Sequence, residues 1–226
     1  MPTNLEVFID KLHDLHRDSS GLEHYAKDQE GKQRSTMPVT PFVYDFFLYN
    51  TLYSIDWEKS VSSGQIRNYP ARGKGCLSES AKQDRFEGFL KQLAKNYPEV
   101  LGDAFYPLAK MSLEGAWTRV EPDAYISIEK GNEFFNNLRA LQALVKKSNG
   151  LDESQLDQVF DKIKQCRKFV YDVRCNIFHG TKHMGEIWVD EQKKRIEVYR
   201  LFLNCLLSAF FTLWQEKMLA NNKVHV

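Results

Sequence analysis

The chain has 226 residues, 42% of them hydrophobic, and a formal net charge of +1. This length and composition suit one globular domain. A charge so close to zero excludes a global electrostatic attraction to nucleic acid or to an anionic membrane, so any polyanion site must be local.

Cysteine usage and the N-terminus indicate a protein of the cytoplasm. None of the four cysteines forms a close pair of the zinc-binding or redox-active kind, which favours a reducing compartment. The N-terminus lacks the continuous apolar core of a secretory signal. The longest apolar run, 201–214, is shorter than the roughly 20 residues that span a bilayer. We therefore expect a cytoplasmic protein with no membrane anchor.

The first part of the chain contains two predicted helices. Apolar spacing predicts a helix over 4–17, and polar residues with two glycines predict a loop over 18–37. Thr40-Pro41 opens a second helix that runs to about 57 and is aromatic on most faces, which predicts a central position. We expect 1–37 to be an N-terminal helix-and-loop appendage, and 38–220 to be the helical core of a single domain.

Residues 58–78 are predicted to form a long basic loop, because Gly, Ser and Pro are dense there. Its cations Arg67, Arg72 and Lys74, together with Tyr69, are candidates for holding single-stranded RNA by charge and stacking. A surface loop without a ligand is the simpler alternative. Gly73-Lys74-Gly75 does not fit a phosphate-binding P-loop, because no Ser or Thr follows it and no strand precedes it.

The remaining chain adds further predicted helices over 79–97, 131–147 and 191–219. Pro98 stops the first of these. Residues 99–130 are mixed in character and contain two short β-like patches, WTRV and YISI. A hairpin of EIWV with RIEV, within 186–198, is an alternative to the start of the last helix. About six helices with loops between them predict an all-α helical bundle.

The clearest helix begins near Leu156 and ends before Gly180, a good helix stop. Its apolar residues recur at steps of three or four, which predicts one continuous buried stripe. The stripe consists of Leu156, Val159, Ile163, Cys166, Val170, Val173 and Ile177.

The end of this helix carries the candidate catalytic residues Arg174, Asn176 and His179. Arg174 is a permanent cation with a planar fork of donors suited to phosphate, and His179 exchanges protons near neutral pH. Lys182 and His183 extend the basic character and are candidate RNA contacts, although solvated loop residues are an equal alternative. A purely structural role for Arg174 and His179, at the negative end of the helix dipole, is the competing interpretation.

The spacing of Arg174 and His179 favours a site shared between two chains. Five residues advance an ideal helix by about 7.5 Å and rotate it by roughly 140°, so the two side chains do not share a face. Asn176, three residues before His179, does share its face. A second subunit beside this helix end would supply the missing Arg or His, so we expect a homodimer.

The string VRCNIFHGTK resembles the signature of HEPN domains, in which an Arg is followed after four to six residues by a His. The strings YNTLYSIDW and NLRALQALV, ahead of it, are also similar to segments of bacterial members. The resemblance implies a helical bundle that dimerises with its motifs facing across a cleft. It also implies a metal-independent endoribonuclease with no cofactor, acting as a toxin or defence effector with an antitoxin or regulatory protein as a further partner.

In such an enzyme the ribose 2′-hydroxyl attacks its own phosphodiester, with His179 as general base or acid and Arg174 stabilising the developing charge. Asn176 would orient His179 or a phosphate oxygen. Ribonuclease members of the family often have a polar residue directly after the Arg, and here that position holds Cys175. The alternative is therefore an inactive HEPN module that binds nucleotide, RNA or a protein.

Two groups of polar residues elsewhere in the sequence each have a functional and a simpler structural interpretation. His13 and His16 lie near Asp10, Asp14 and His24, which suggests a metal site, although a solvated helix face explains them more simply and we expect no metal. Asn204, Ser208 and Thr212 recur every four residues, which fits either a close helix contact, such as a dimer interface, or a plain core helix.

Overall fold

The computed structural model describes residues 2–21, 39–113, 128–146, 151, 153–178 and 190–223. Within these ranges the chain forms eight helices and no sheet, apart from an isolated antiparallel bridge between Ile55 and Asn68. The helices are α1 (Asn4–Gly21), α2 (Val39–Tyr53), α3 (Trp57–Ser63), α4 (Glu79–Ala94), α5 (Pro98–Lys110), α6 (Ile128–Lys146), α7 (Glu153–Phe178) and α8 (Asp190–Lys223). The all-α class is confirmed, with two helices more than expected.

The predicted second helix is wrong at its end, because the chain turns after Tyr53 and starts α3 at Trp57. The Asp56 side chain accepts a hydrogen bond from the backbone N–H of Lys59 (3.3 Å) and so caps α3. The indole Nε1 of Trp57 donates to the carbonyl oxygen of Leu52 (2.9 Å), which also accepts from the N–H of Ile55 (3.3 Å), so the end of α2 is capped from both sides of the turn. Both helices face the same core, so the apolar pattern alone did not reveal the break.

The predicted basic loop over 58–78 therefore begins with α3, and only its later part is irregular. That part is attached to the turn between α2 and α3 by backbone hydrogen bonds. The N–H of Asp56 donates to the carbonyl oxygen of Arg67 (2.7 Å), and the N–H of Tyr69 donates to that of Ser54 (3.0 Å). These bonds give the loop a defined path over the surface of the bundle.

Pro98 both follows one helix and begins another. The predicted helix over 79–97 ends at Ala94, and Pro98 occupies the first turn of α5, where its missing N–H costs no intrahelical bond. Pro107, inside α5, is the reason that apolar spacing led to no helix prediction there. Both β-like patches lie outside the described residues, except that the last residue of YISI, Ile128, begins α6.

The C-terminal helix α8 lies at the centre and packs against α1, α2, α4 and α5. Its residues 195–198, the RIEV of the alternative hairpin, are helical, so that alternative is wrong for them, and EIWV lies outside the described residues. By length and composition Lys194–Asn221 is long and apolar enough to cross a membrane. However, 67% of its most apolar window is buried inside the protein, as in the core helices of soluble proteins, so this is weak evidence for a span.

Helix α7 packs against α6 on one side and α4 on the other. Phe134 of α6 stacks on Phe169 of α7 with ring centroids 4.6 Å apart, and Tyr199 of α8 contacts both rings. Offset and edge contacts between aromatic rings add to the stabilisation from buried apolar area. This packing places the last turns of α7 beside α2 and the start of α4.

Candidate functional site

The apolar stripe of α7 is buried, as predicted, over its described side chains from Leu156 to Val173, and the side chain of Ile177 lies outside the described part of the structure. Val159, Ile163 and Cys166 are fully inaccessible, and Val170 and Val173 are at most 3% exposed. Because helix residues three and four apart are neighbours, a second stripe runs beside the first. It consists of Arg167, Tyr171 and Arg174 and faces α2 and α4.

Arg174 lies on aromatic surface near the end of α7. Its guanidinium carbon is 5.4 Å from the ring centroid of Phe46 and 5.9 Å from that of Tyr171. Its Nη1 lies 3.9 Å from the sulfur of Cys175. The side chain is half-buried, so its charge is less screened by water than that of a surface arginine.

A carboxylate on α4 lies within the electrostatic reach of Arg174. Burial acts to raise the pKa of Glu79, but hydrogen bonds from Lys82 and Tyr53 outweigh it. The charges of Lys82 and Arg174 act in the same direction, and the net effect is a lowered pKa. A phosphate bound by Arg174 would therefore lie within reach of the negative charge of Glu79, which would repel it.

The neighbouring polar contacts attach α7 firmly to α4. Arg167, only 2% exposed, donates from Nε to Glu87 (2.7 Å) and from Nη2 to Asp84 (2.7 Å), and its Nη1 donates to Gln83. Burial raises the pKa of Glu87, while the charge of Arg167 opposes that rise. The fully buried Tyr49 of α2 borders this cluster, and burial raises the pKa of its hydroxyl.

Sequence reasoning missed this network. Its signal is a second polar stripe in each helix: Glu79, Gln83 and Glu87 recur every four residues on α4, opposite Arg167 and Arg174 on α7. Helix packing decides which acidic stripe contacts which basic stripe. The apolar periodicity of each helix carries no information about this pairing.

The other catalytic candidates are less fully defined. Asn176 belongs to α7, but its side chain lies outside the described part of the structure. His179, Lys182 and His183 lie outside the described residues altogether, as does Gly180. The joint placement of Arg174 and His179 therefore stays a prediction.

The three basic loop residues, Arg67, Arg72 and Lys74, have exposed side chains. Among the described residues, the hydrogen bonds that hold Arg67 join its backbone to Asp56 and Ser60, and none of them uses its guanidinium. Arg67 is thus attached to α3, and the RNA-binding role of Arg67, Arg72 and Lys74 stays a prediction.

The solvated helix face expected for His13 and His16 is wrong for His16, which is 6% exposed. Its Nε2 lies 3.0 Å from the hydroxyl of Ser208, and its ring stacks on Phe211 at 5.4 Å. Burial, assisted by the charges of His13 and Arg200, lowers the pKa of His16 to about 4. The reason is that α1 packs this face against α8.

The row of Asn204, Ser208 and Thr212 therefore faces α1 of the same chain at Ser208, while Thr212 is exposed. His24 lies outside the described residues. Over the ranges that are described, no group of three or more His, Cys, Asp or Glu side chains is arranged to hold a metal ion.

No protein-family model, curated protein or solved structure matches the chain.

Proposed function

We propose that this protein is a metal-independent endoribonuclease of the HEPN type, with Arg174 and His179 as its catalytic pair. The observation that carries the proposal is the segment in which Arg174, four further residues, His179 and Gly180 follow one another at the end of α7. The all-α architecture is consistent with that family.

The surroundings of Arg174 support a role in phosphate binding. The guanidinium lies over the ring of Phe46, and its planar fork of N–H donors matches the geometry of phosphate oxygens. In a half-buried position a cation stabilises developing negative charge more strongly than it does in water. Arg174 therefore holds the phosphate and stabilises the transition state.

His179 supplies the proton transfer. It removes the proton of the ribose 2′-hydroxyl, whose oxygen forms a new bond to phosphorus while the bond from phosphorus to the 5′-oxygen breaks. The proton that His179 removed passes to the leaving 5′-oxygen, directly or through water, and Asn176 orients His179 or a phosphate oxygen. The products are a 2′,3′-cyclic phosphate and a 5′-hydroxyl, and no metal takes part.

The active form is a homodimer of the cytoplasm, in which Arg174 of one copy and His179 of the other face one RNA strand. Lys182, His183, Arg67, Arg72 and Lys74 extend the contact to flanking phosphates. A ribonuclease of this kind acts as a toxin or defence effector, controlled by an antitoxin or another regulatory protein.

The test is cleavage of end-labelled RNA in EDTA by the wild-type protein and by His179→Ala, Arg174→Ala and Arg174→Lys. We expect His179→Ala and Arg174→Ala to be inactive, and Arg174→Lys to be strongly impaired because an ammonium lacks the planar fork. Arg139→Ala, which removes an exposed arginine of α6, is the matched control and should retain activity. A 2′-deoxy substitution at the cleaved nucleotide should block cleavage there. Equal cleavage by wild type and His179→Ala would refute the proposal.

The second candidate is an inactive HEPN module that binds nucleotide, RNA or a protein. It is favoured by Cys175 beside Arg174 and by the charge of Glu79 within reach of the same guanidinium. This candidate predicts RNA or nucleotide binding without turnover, and loss of binding in Arg174→Ala. If neither Arg174→Ala nor His179→Ala affects binding, the site is wrong for this role as well.

A further inference from the structure

A groove of about 780 Å³ lies between α3, the segment that follows it, α4 and α8. Its size is that of pockets that hold small molecules. On α4 it is lined by Arg85, Phe89 and Gln92, at helical spacing, whereas Gln83 and Glu87 of the same helix face α7. The groove is thus on the other side of α4 from the surroundings of Arg174.

Most carboxylates around the groove are already engaged. Asp56 caps α3 and pairs with Lys59 at 2.8 Å. Asp84 pairs with Arg167 at 2.7 Å and with Lys164 at 3.0 Å, on the α7 side. These acids therefore do not neutralise the other cations of the groove.

Two cations in the groove, Arg85 and Lys217, form no ion pair with any residue that the structure describes. The ammonium of Lys217 lies 5.4 Å from the ring centroid of Phe89 and 5.2 Å from that of Trp214. Burial lowers the pKa of Lys217, which means that its charged form is incompletely hydrated. An anion bound there would replace part of the lost hydration.

The groove also offers flat apolar surface. Trp57 and Phe89 stack at 4.8 Å with an angle of 8° between their planes, and both line the groove together with the half-buried Tyr69. A smaller cavity of about 340 Å³ shares Phe89 and Lys217 and continues along α4 to Tyr97. Rings beside cations are the combination that proteins use to hold bases together with their phosphates.

We propose that this groove binds a nucleoside phosphate, either as a free mononucleotide or as a segment of single-stranded RNA. The phosphate contacts Lys217 and Arg85, and the base lies against Tyr69. Glu58 and Gln92 of the groove accept hydrogen bonds from ribose hydroxyl or base amino groups. The site does not depend on the ribonuclease proposed above, because it uses none of its catalytic residues.

The experiment is calorimetric titration of the full chain with AMP, adenosine, inorganic phosphate, a tetraglutamate peptide and 2′-O-methyl tetra-adenylate, which cannot be cleaved. We expect AMP to bind more tightly than adenosine, phosphate or the peptide. If tetra-adenylate binds more than about tenfold tighter than AMP, the ligand of the groove is single-stranded RNA. If the two bind with comparable affinity, the ligand is the free mononucleotide.

Variants locate the site. Lys217→Gln and Arg85→Gln should each weaken AMP binding about tenfold, since each removes a charge-assisted contact. Gly88 also lines the groove, and a Cβ built on it meets no atom within 4 Å. Gly88→Leu should therefore place its side chain in the groove and abolish AMP binding without disturbing the fold. Gly88→Ala adds only a methyl group and should leave AMP binding unchanged.

Lys168→Gln, which removes an exposed cation of α7, is the matched charge control. The proposal is overturned if neither AMP nor tetra-adenylate binds, if phosphate or the peptide binds as tightly as AMP, or if Gly88→Leu and Lys217→Gln leave AMP binding unchanged. Thermal unfolding of each variant checks that a loss of binding is not a loss of fold.

Discussion

Gly88 and Gly64 differ in what an added methyl group would meet. Gly88 lies inside α4 with open space around its position, so Gly88→Ala removes backbone freedom from the unfolded chain at no steric cost. We expect the free energy of unfolding, measured with urea, to rise by about 1 kcal/mol.

Gly64 provides the contrasting control. Its φ is +66°, and a Cβ there would lie 3.1 Å from the Thr3 side chain. Gly64→Ala should therefore lower the free energy of unfolding by about 1 kcal/mol or more. Destabilisation by Gly88→Ala as well would contradict the open surroundings of that residue.

His16 makes stability depend on pH. Its pKa is about 4 in the folded protein, below its usual value of 6.5, so the folded state binds the proton less readily than the unfolded state. The stability that the neutral imidazole contributes is complete above pH 6.5 and is lost as the pH falls towards 4.

The measurement compares wild type with His16→Gln, which can still hydrogen-bond with Ser208 but does not titrate. Between pH 8 and pH 5 the wild type should lose about 2 kcal/mol more unfolding free energy than the variant. Equal losses of unfolding free energy in the two proteins would mean that folding does not lower the pKa of His16.

Between elements, the contact of α4 with α7 contains a buried ion pair, which is sensitive to the loss of one partner. Arg167→Met leaves the carboxylate of Glu87, which is 5% exposed, without its cation, and should lower the unfolding free energy by about 3–5 kcal/mol.

Arg167→Met combined with Glu87→Met should be less destabilised than Arg167→Met alone, because no unpaired charge remains. The comparison is made by denaturant unfolding of both single variants and the double variant. Additive effects would mean that the pair does not couple the two helices.

The helices show which features of the fold the apolar periodicity of the sequence can predict. The stripe of α7 was read correctly because Val159, Ile163 and Cys166 face one core along an unbroken helix. The break between α2 and α3 was not predicted, because Trp57 remains buried on the far side of the turn and so continues the apolar pattern. Apolar periodicity reports burial, and it does not report the capping by which one helix ends and the next begins.

For the whole molecule, the proposed ribonuclease makes a prediction about assembly. If each active site combines Arg174 of one copy with His179 of the other, a mixed dimer of Arg174→Ala and His179→Ala chains has one intact site. Random mixing should then restore about a quarter of wild-type activity, measured on end-labelled RNA after joint refolding. No recovery from a verified mixed dimer would place both residues of each site in the same chain.

The helical class, the buried stripe of α7 and the candidate segment at Arg174 could be derived from the sequence alone, because they depend on periodicity and residue chemistry along one stretch of chain. Three features depend on how the helices pack: His16 is buried against α8, Arg167 joins α7 to α4, and Lys217 and Arg85 line the same groove. These contacts join residues far apart in the chain, and packing geometry rather than local propensity selects them.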